Sequence, residues 1–128
     1  MGVSAPEQAV KPRRPRVSEK VVEAAVIRAY AAFGCRVWKH SEPRAAMISA
    51  GYPDLTVVAT CPWGDLLFYH EVKAQGGKLR PDQLAFRKAA EAAGLVVVVG
   101  GLAEARTRLE DIGLALKDGT VSRPKGTS

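Results

Sequence analysis

The sequence predicts an α/β fold: a mixed β-sheet flanked by helices, in the order α-β-β-β-α-β-α. Three observations carry this. An amphipathic helical stretch opens the ordered chain at Glu19. Two β-branched runs, DLTVVAT from Asp54 and LLFYHEVK from Leu66, flank the turn chemistry of CPWGD. A continuous apolar run, LVVVV from Leu95, follows a second helical stretch opened by Pro81.

The elements follow in order. Residues 1–17 carry Pro6, Pro12 and Pro15 among Lys11, Arg13, Arg14 and Arg16. Such a segment buries too little apolar surface to order itself and reads as a flexible basic arm. The folded domain spans 18–119. Ser18 is a helix N-cap candidate, and Val22, Val26, Ala29 and Phe33 recur at helical spacing before Gly34. Cys35–Lys39 reads as a short strand, and 40–53 as a loop with two prolines. The two β-branched runs pair as a hairpin. A helix then runs from Pro81 to about Ala93, with Gly94 as its stop. The LVVVV run has the character of a strand buried on both faces. A last helix covers Leu102–Ile112, and 120–128 reads as a frayed polar tail.

A chain of 128 residues is one domain by size, with room for one modest core. Its 47% hydrophobic and 25% charged residues are ordinary for a globular protein, so disorder does not dominate. The net charge of +6 and pI near 9.6 favour a polyanionic partner. Cys35 and Cys61 form no CxxC pair or Cys/His cluster, which argues against structural zinc and a disulfide framework and for a reducing cytoplasm. No apolar stretch approaches the roughly 20 residues that cross a membrane, and no apolar h-region marks a secretory signal.

The chemistry concentrates in Gly51-Tyr52-Pro53-Asp54 and, 17 residues after Asp54, Glu71-Val72-Lys73. Side chains alternate along a strand, so Glu71 and Lys73 share a face while Val72 points into the core. Asp54 opens the neighbouring strand, and a hairpin brings it to Glu71 at one sheet end. Two carboxylates there repel unless a cation or proton intervenes. Mg²⁺ or Mn²⁺ suits such a pair, polarising a phosphate and acidifying a bound water. Lys73 is placed to orient that water or to stabilise charge on the phosphate. Alone, an E-x-K on a strand is commonly just an ion pair; Asp54, the Gly-Gly break and the Gln83 helix make the pattern specific. His70 points away from Glu71 and reads as a core or edge residue, His40 lacks a ligand set, and Trp38 and Trp63 read as packing residues.

The series GYPD, HEVK, GGKLRPDQ and GLVVVVG resembles the VRR-NUC family of PD-(D/E)XK nucleases, over about Glu19 to Gly101. Members of that family occur as small standalone proteins, often in phages, and as modules of larger repair enzymes. The resemblance implies a restriction-endonuclease-like fold similar to Holliday-junction resolvases. It implies Asp54 and Glu71 as metal ligands with the Val72 carbonyl as a third, Lys73 as the catalytic lysine, and Gln83 as support for the site. A glutamate on the first helix belongs to the pattern. Glu19 and Glu23 are candidates four residues apart. Glu23 is favoured by its spacing before Gly34 and its place beside the apolar stripe.

Lys39, Arg44, Lys78 and Arg80 are candidate DNA contacts, each weighed against simple solvation. The expectation is therefore a Mg²⁺- or Mn²⁺-dependent deoxyribonuclease, in the cytoplasm of a bacterium or phage-infected cell. It would act as a homodimer on branched DNA such as four-way junctions; both dimer and substrate rest on the resemblance. The final helix and the apolar Leu114-Ala115-Leu116 are a candidate interface. The alternatives are a non-catalytic DNA-binding module on the same fold and an α/β protein that binds another protein.

Overall fold

The computed structural model describes residues 17–40 and 51–115. The basic arm before Val17, Arg44 within 41–50, Leu116 and the 120–128 tail lie outside the described residues. Among the described residues the order is α1 (Glu19–Ala32), β1 (Arg36–Lys39), β2 (Leu55–Cys61), β3 (Gly64–Val72), α2 (Pro81–Ala92), β4 (Val97–Gly100) and α3 (Leu102–Asp111). This is the order expected from the sequence. No helix there is long and apolar enough to cross a membrane.

The four strands form a mixed sheet in the order β1-β2-β3-β4. β1 and β2, and β2 and β3, are antiparallel; β3 and β4 are parallel. Period-2 alternation sorts β3 between two layers. Phe68, His70 and Val72 face α1 and α3: Phe68 and His70 meet Tyr30 of α1 edge-on, and Val72 joins the core. Tyr69 and Glu71 face α2, touching Phe86 and Gln83. The main core lies on the α1/α3 side, built on Val26, Tyr30, Leu55, Val57, Phe68 and Leu109.

Helix ends follow local chemistry. The Ser18 hydroxyl accepts the Val21 N–H at 3.3 Å, capping α1 as its sequence position suggests. Pro81 occupies the first turn of α2, where its missing N–H costs nothing.

Three expectations are corrected. The LVVVV run is not buried on both faces: among the described residues β4 pairs only with β3, Val96 stays 38% exposed, and Val98–Gly100 are half-buried. Apolar continuity reflects side-chain type, and the run lies at the sheet edge, beside α2 and α3. Leu114 and Ala115 are core residues packed against the sheet, so they do not offer an interface. The tryptophans are largely exposed: Trp38 lies near the Arg36 guanidinium at 5.8 Å, while Trp63 donates its ring N–H to Ile112 O at 3.2 Å. Only Trp63 has a tying role, pinning the hairpin tip to the end of α3. Both cysteines are free and buried, and burial with the neighbouring Cys61 pushes the Cys35 thiol up to about 11.

Candidate active site at the β2–β3 sheet end

Asp54 immediately precedes β2 and Glu71 lies near the end of β3, so the antiparallel register returns both to one sheet end. Asp54 is fixed from two sides. Its Oδ2 accepts the Val72 N–H at 2.9 Å, and its carbonyl accepts the His40 N–H at 2.6 Å. A charge-assisted bond to a backbone N–H holds the carboxylate beside Glu71 rather than in solvent.

Glu71 is 3% exposed. Its Oε2 accepts the Gln83 side-chain amide at 2.8 Å and lies 3.6 Å from Lys73 Nζ, while its buried Oε1 has no hydrogen-bond partner among the described residues. Burial first, and then the adjoining Asp54 carboxylate, push its pKa up to about 8; Lys73 pulls the other way without prevailing. Without a cation, burial and the Asp54 carboxylate thus favour the protonated form of Glu71. An unpartnered carboxylate oxygen beside a second carboxylate is what a hard cation would satisfy, so these residues fit Mg²⁺ or Mn²⁺.

Gln83 is held at both ends of its amide. Its Oε1 accepts the Arg80 N–H at 2.9 Å across the first turn of α2, which leaves its NH₂ aimed at Glu71. The helix start thus orients the carboxylate. Lys73 is 8% exposed, and its N–H bonds to Gly100 O at 3.0 Å, extending the parallel ladder one residue past the strand.

The structure brings together four of the five expected catalytic residues: Asp54, Glu71, Lys73 and Gln83. Glu23 is buried on α1 and pairs with Lys39 at 3.2 Å. Among the described residues no three His, Cys, Asp or Glu side chains gather closely enough to hold a metal, so Glu23 does not complete a trio with Asp54 and Glu71. Lys78 is exposed, and Arg80 is exposed but joined to Asp82 at 3.3 Å.

Two groups escape the sequence. Tyr52, Tyr69 and Phe86 pack edge to face with centroids 5.3–5.9 Å apart, and His40 adds its ring against Tyr52 at 5.0 Å. Each of the three lies two or three positions from Asp54, Glu71 or Gln83, a spacing that could have flagged them. Behind Glu71, buried His70 links α1 to β4. Its Nε2–H donates to Gly100 O at 3.0 Å, because a carbonyl only accepts; Nδ1 therefore accepts the Tyr30 hydroxyl at 2.6 Å. Burial depresses the imidazole pKa and keeps it neutral. Tyr30→Phe strands Nδ1 as a buried acceptor, with an expected cost of about 1–3 kcal/mol. The check is a lowered urea midpoint at unchanged m-value.

No family model matches the chain, and no curated protein does. A solved VRR_NUC domain is similar to it: 28% identity over 73% of this chain and 94% of that one, with a TM-score of 0.58. The likeness covers nearly the whole of that domain, so the chain is similar to a VRR-NUC domain in both fold and sequence.

Proposed function

We propose that this chain is a Mg²⁺- or Mn²⁺-dependent DNA nuclease of the PD-(D/E)XK type, hydrolysing phosphodiester bonds in branched DNA as a homodimer. The observation that carries the reading is the buried Glu71 carboxyl, its Oε1 without a hydrogen-bond partner among the described residues, beside Lys73 and half-buried Asp54. Similarity to a VRR-NUC domain and the net charge of +6 support DNA as the substrate.

Asp54, Glu71 and the Val72 carbonyl would hold the cation. When bound, it would polarise the scissile phosphate and acidify a water. Glu71 would release any proton it holds to solvent as the site loads. Gln83 keeps Glu71 from swinging away, and the Val72 N–H does the same for Asp54. Lys73, fixed by packing, presents its ammonium where charge grows on the phosphate oxygens. Lys39, Lys78 and Arg80 are placed in this reading as phosphate contacts; Arg44 would join them from outside the described residues.

Glu23 acts on the site through Lys39 in this reading. Glu19 is exposed in the first turn of α1, where it serves the helix dipole. Glu23→Gln is therefore expected to slow cleavage more than Glu19→Gln. Equal, small losses would remove the helix carboxylate from the mechanism.

The direct test incubates the chain with labelled four-way junction, flap and linear duplex, in Mg²⁺, Mn²⁺ or EDTA. Cleavage of the branched substrates in metal alone is expected. Cleavage that persists in EDTA ends the metal reading. Binding without cleavage in every metal supports a non-catalytic DNA-binding module instead.

A further inference from the structure

A cavity of about 660 Å³ opens at the carboxyl ends of the parallel strands β3 and β4. The chain diverges there, Lys73–Gly77 to one side and Gly100–Ala103 to the other, and crevices of this kind are where open α/β sheets bind ligands. The N-terminal half of α1 forms the third wall. We infer that this cavity is a subsite for one unpaired nucleotide of the strand being cut; the inference rests on the nuclease reading above.

The lining fits a base. Val17 and Val21 are 57% and 58% exposed, four residues apart on the α1 side, with Val22 and Leu102 deeper. Apolar side chains left in water gain by covering a ring face. The opposite walls are glycine. A Cβ at Gly77 would meet Ala74 O at 3.0 Å, and one at Gly101 would meet Val22 Cγ1 at 3.1 Å. The chain packs too closely at both positions to admit a side chain, so bare peptide surface borders the cavity there.

The charges set a direction. Lys73 borders the cavity, and its ammonium lies 3.6 Å from Glu71 of the proposed cleavage site. Glu104 closes the far side, its Oε1 accepting the Gly101 N–H at 2.7 Å. A phosphate is favoured at the lysine end and opposed at the glutamate end. A base edge carrying an exocyclic amino group is favoured beside Glu104. This polarity matches one nucleotide whose phosphate lies towards Lys73. The volume falls in the range of about 300–1,000 Å³ typical of small-molecule sites, too small for a stacked duplex. A paired base would first have to leave its stack, and that cost is least where it is already unpaired.

The test fills the cavity through Ala103, an exposed residue of α3 outside the proposed cleavage machinery. Wild type and Ala103→Trp are compared on flaps that carry either a normal or an abasic nucleotide beside the scissile phosphate. Wild type is expected to cut the normal flap about tenfold better at low substrate concentration, the scale of one stacked base. Ala103→Trp is expected to lose that preference, its ratio of normal to abasic cutting falling to about one. A matched experiment places 2-aminopurine at the same position and reads its fluorescence on binding in EDTA, independently of cleavage. A change in wild type that is absent in Ala103→Trp sustains the subsite even if no metal supports cutting. Equal fluorescence changes in both proteins overturn it. Equal losses on normal and abasic flaps also overturn it, assigning the cavity to another occupant such as the chain preceding Val17.

Discussion

Asp54→Asn is expected to lower single-turnover cleavage by about three orders of magnitude or more, with little change in melting temperature. The substitution keeps an oxygen that can accept the Val72 N–H, so the local fold survives. What it removes is one of the two carboxylates proposed to hold the cation, and loss of several kcal/mol of transition-state stabilisation gives this scale. The removal also relieves Glu71 of the charge that helps raise its pKa. Binding of junction DNA in Ca²⁺ or EDTA should therefore persist in the variant. Retention of more than a tenth of the wild-type rate would take Asp54 out of the reaction.

The second large effect is structural in origin. Gly51 has φ +88°, and a Cβ there would lie at 2.3 Å from Asp82 O and 2.6 Å from Asp82 C. The contact is backbone against backbone, so no side chain can rotate to relieve it. The positive φ alone costs a non-glycine residue about 1–2 kcal/mol. Gly51→Ala must push the Tyr52–Asp54 segment away from the first turn of α2, and that turn carries Gln83. Both carboxylate supports then shift together. A displacement on the order of 1 Å can cost about 10²-fold in rate. We expect at least that loss, together with a melting temperature lowered by about 10 °C, as for some 2 kcal/mol in a domain of this size. Near-native melting and activity would show that the 51–54 approach to α2 is not needed to build the site.

Much of the site was legible because strand alternation is a strict rule. Glu71 and Lys73 had to share a face, Val72 had to enter the core, and a hairpin had to return Asp54 to Glu71. Ser18 and Pro81 marked helix starts through local chemistry alone. The misread features depend on neighbours. LVVVV is apolar at every position whether it lies at the sheet centre or at its edge, and only its pairing with β3 alone decides the matter. Trp38 and Leu114 could not be sorted between surface and core for the same reason. The Tyr30–His70 contact joins residues 40 apart on different elements, and no local pattern encodes it. Glu23 was picked out by spacing, but its pairing with Lys39 depends on how α1 packs beside β1.

The raised Glu71 pKa ties the site to pH in two ways. The folded chain holds this proton more tightly than the unfolded chain does. Without metal, the stability from this group is complete below the ordinary value of 4.5 and is lost as pH rises through about 8. The proposed cation binding would run in the opposite sense, because it would displace the same proton. The two carboxyls titrate as a pair, so the observed midpoint belongs to both.

The most direct measurement is a calorimetric titration of Mn²⁺ into the wild-type chain and into Glu71→Gln, at pH 7 in two buffers of different ionisation enthalpy. Saturable binding with net proton release is expected for wild type, strengthening towards pH 8. Glu71→Gln is expected to bind far more weakly and to release no proton. Equal binding by the two proteins, or wild-type binding without proton release, would contradict a cation site built on buried Glu71 and its neighbour Asp54.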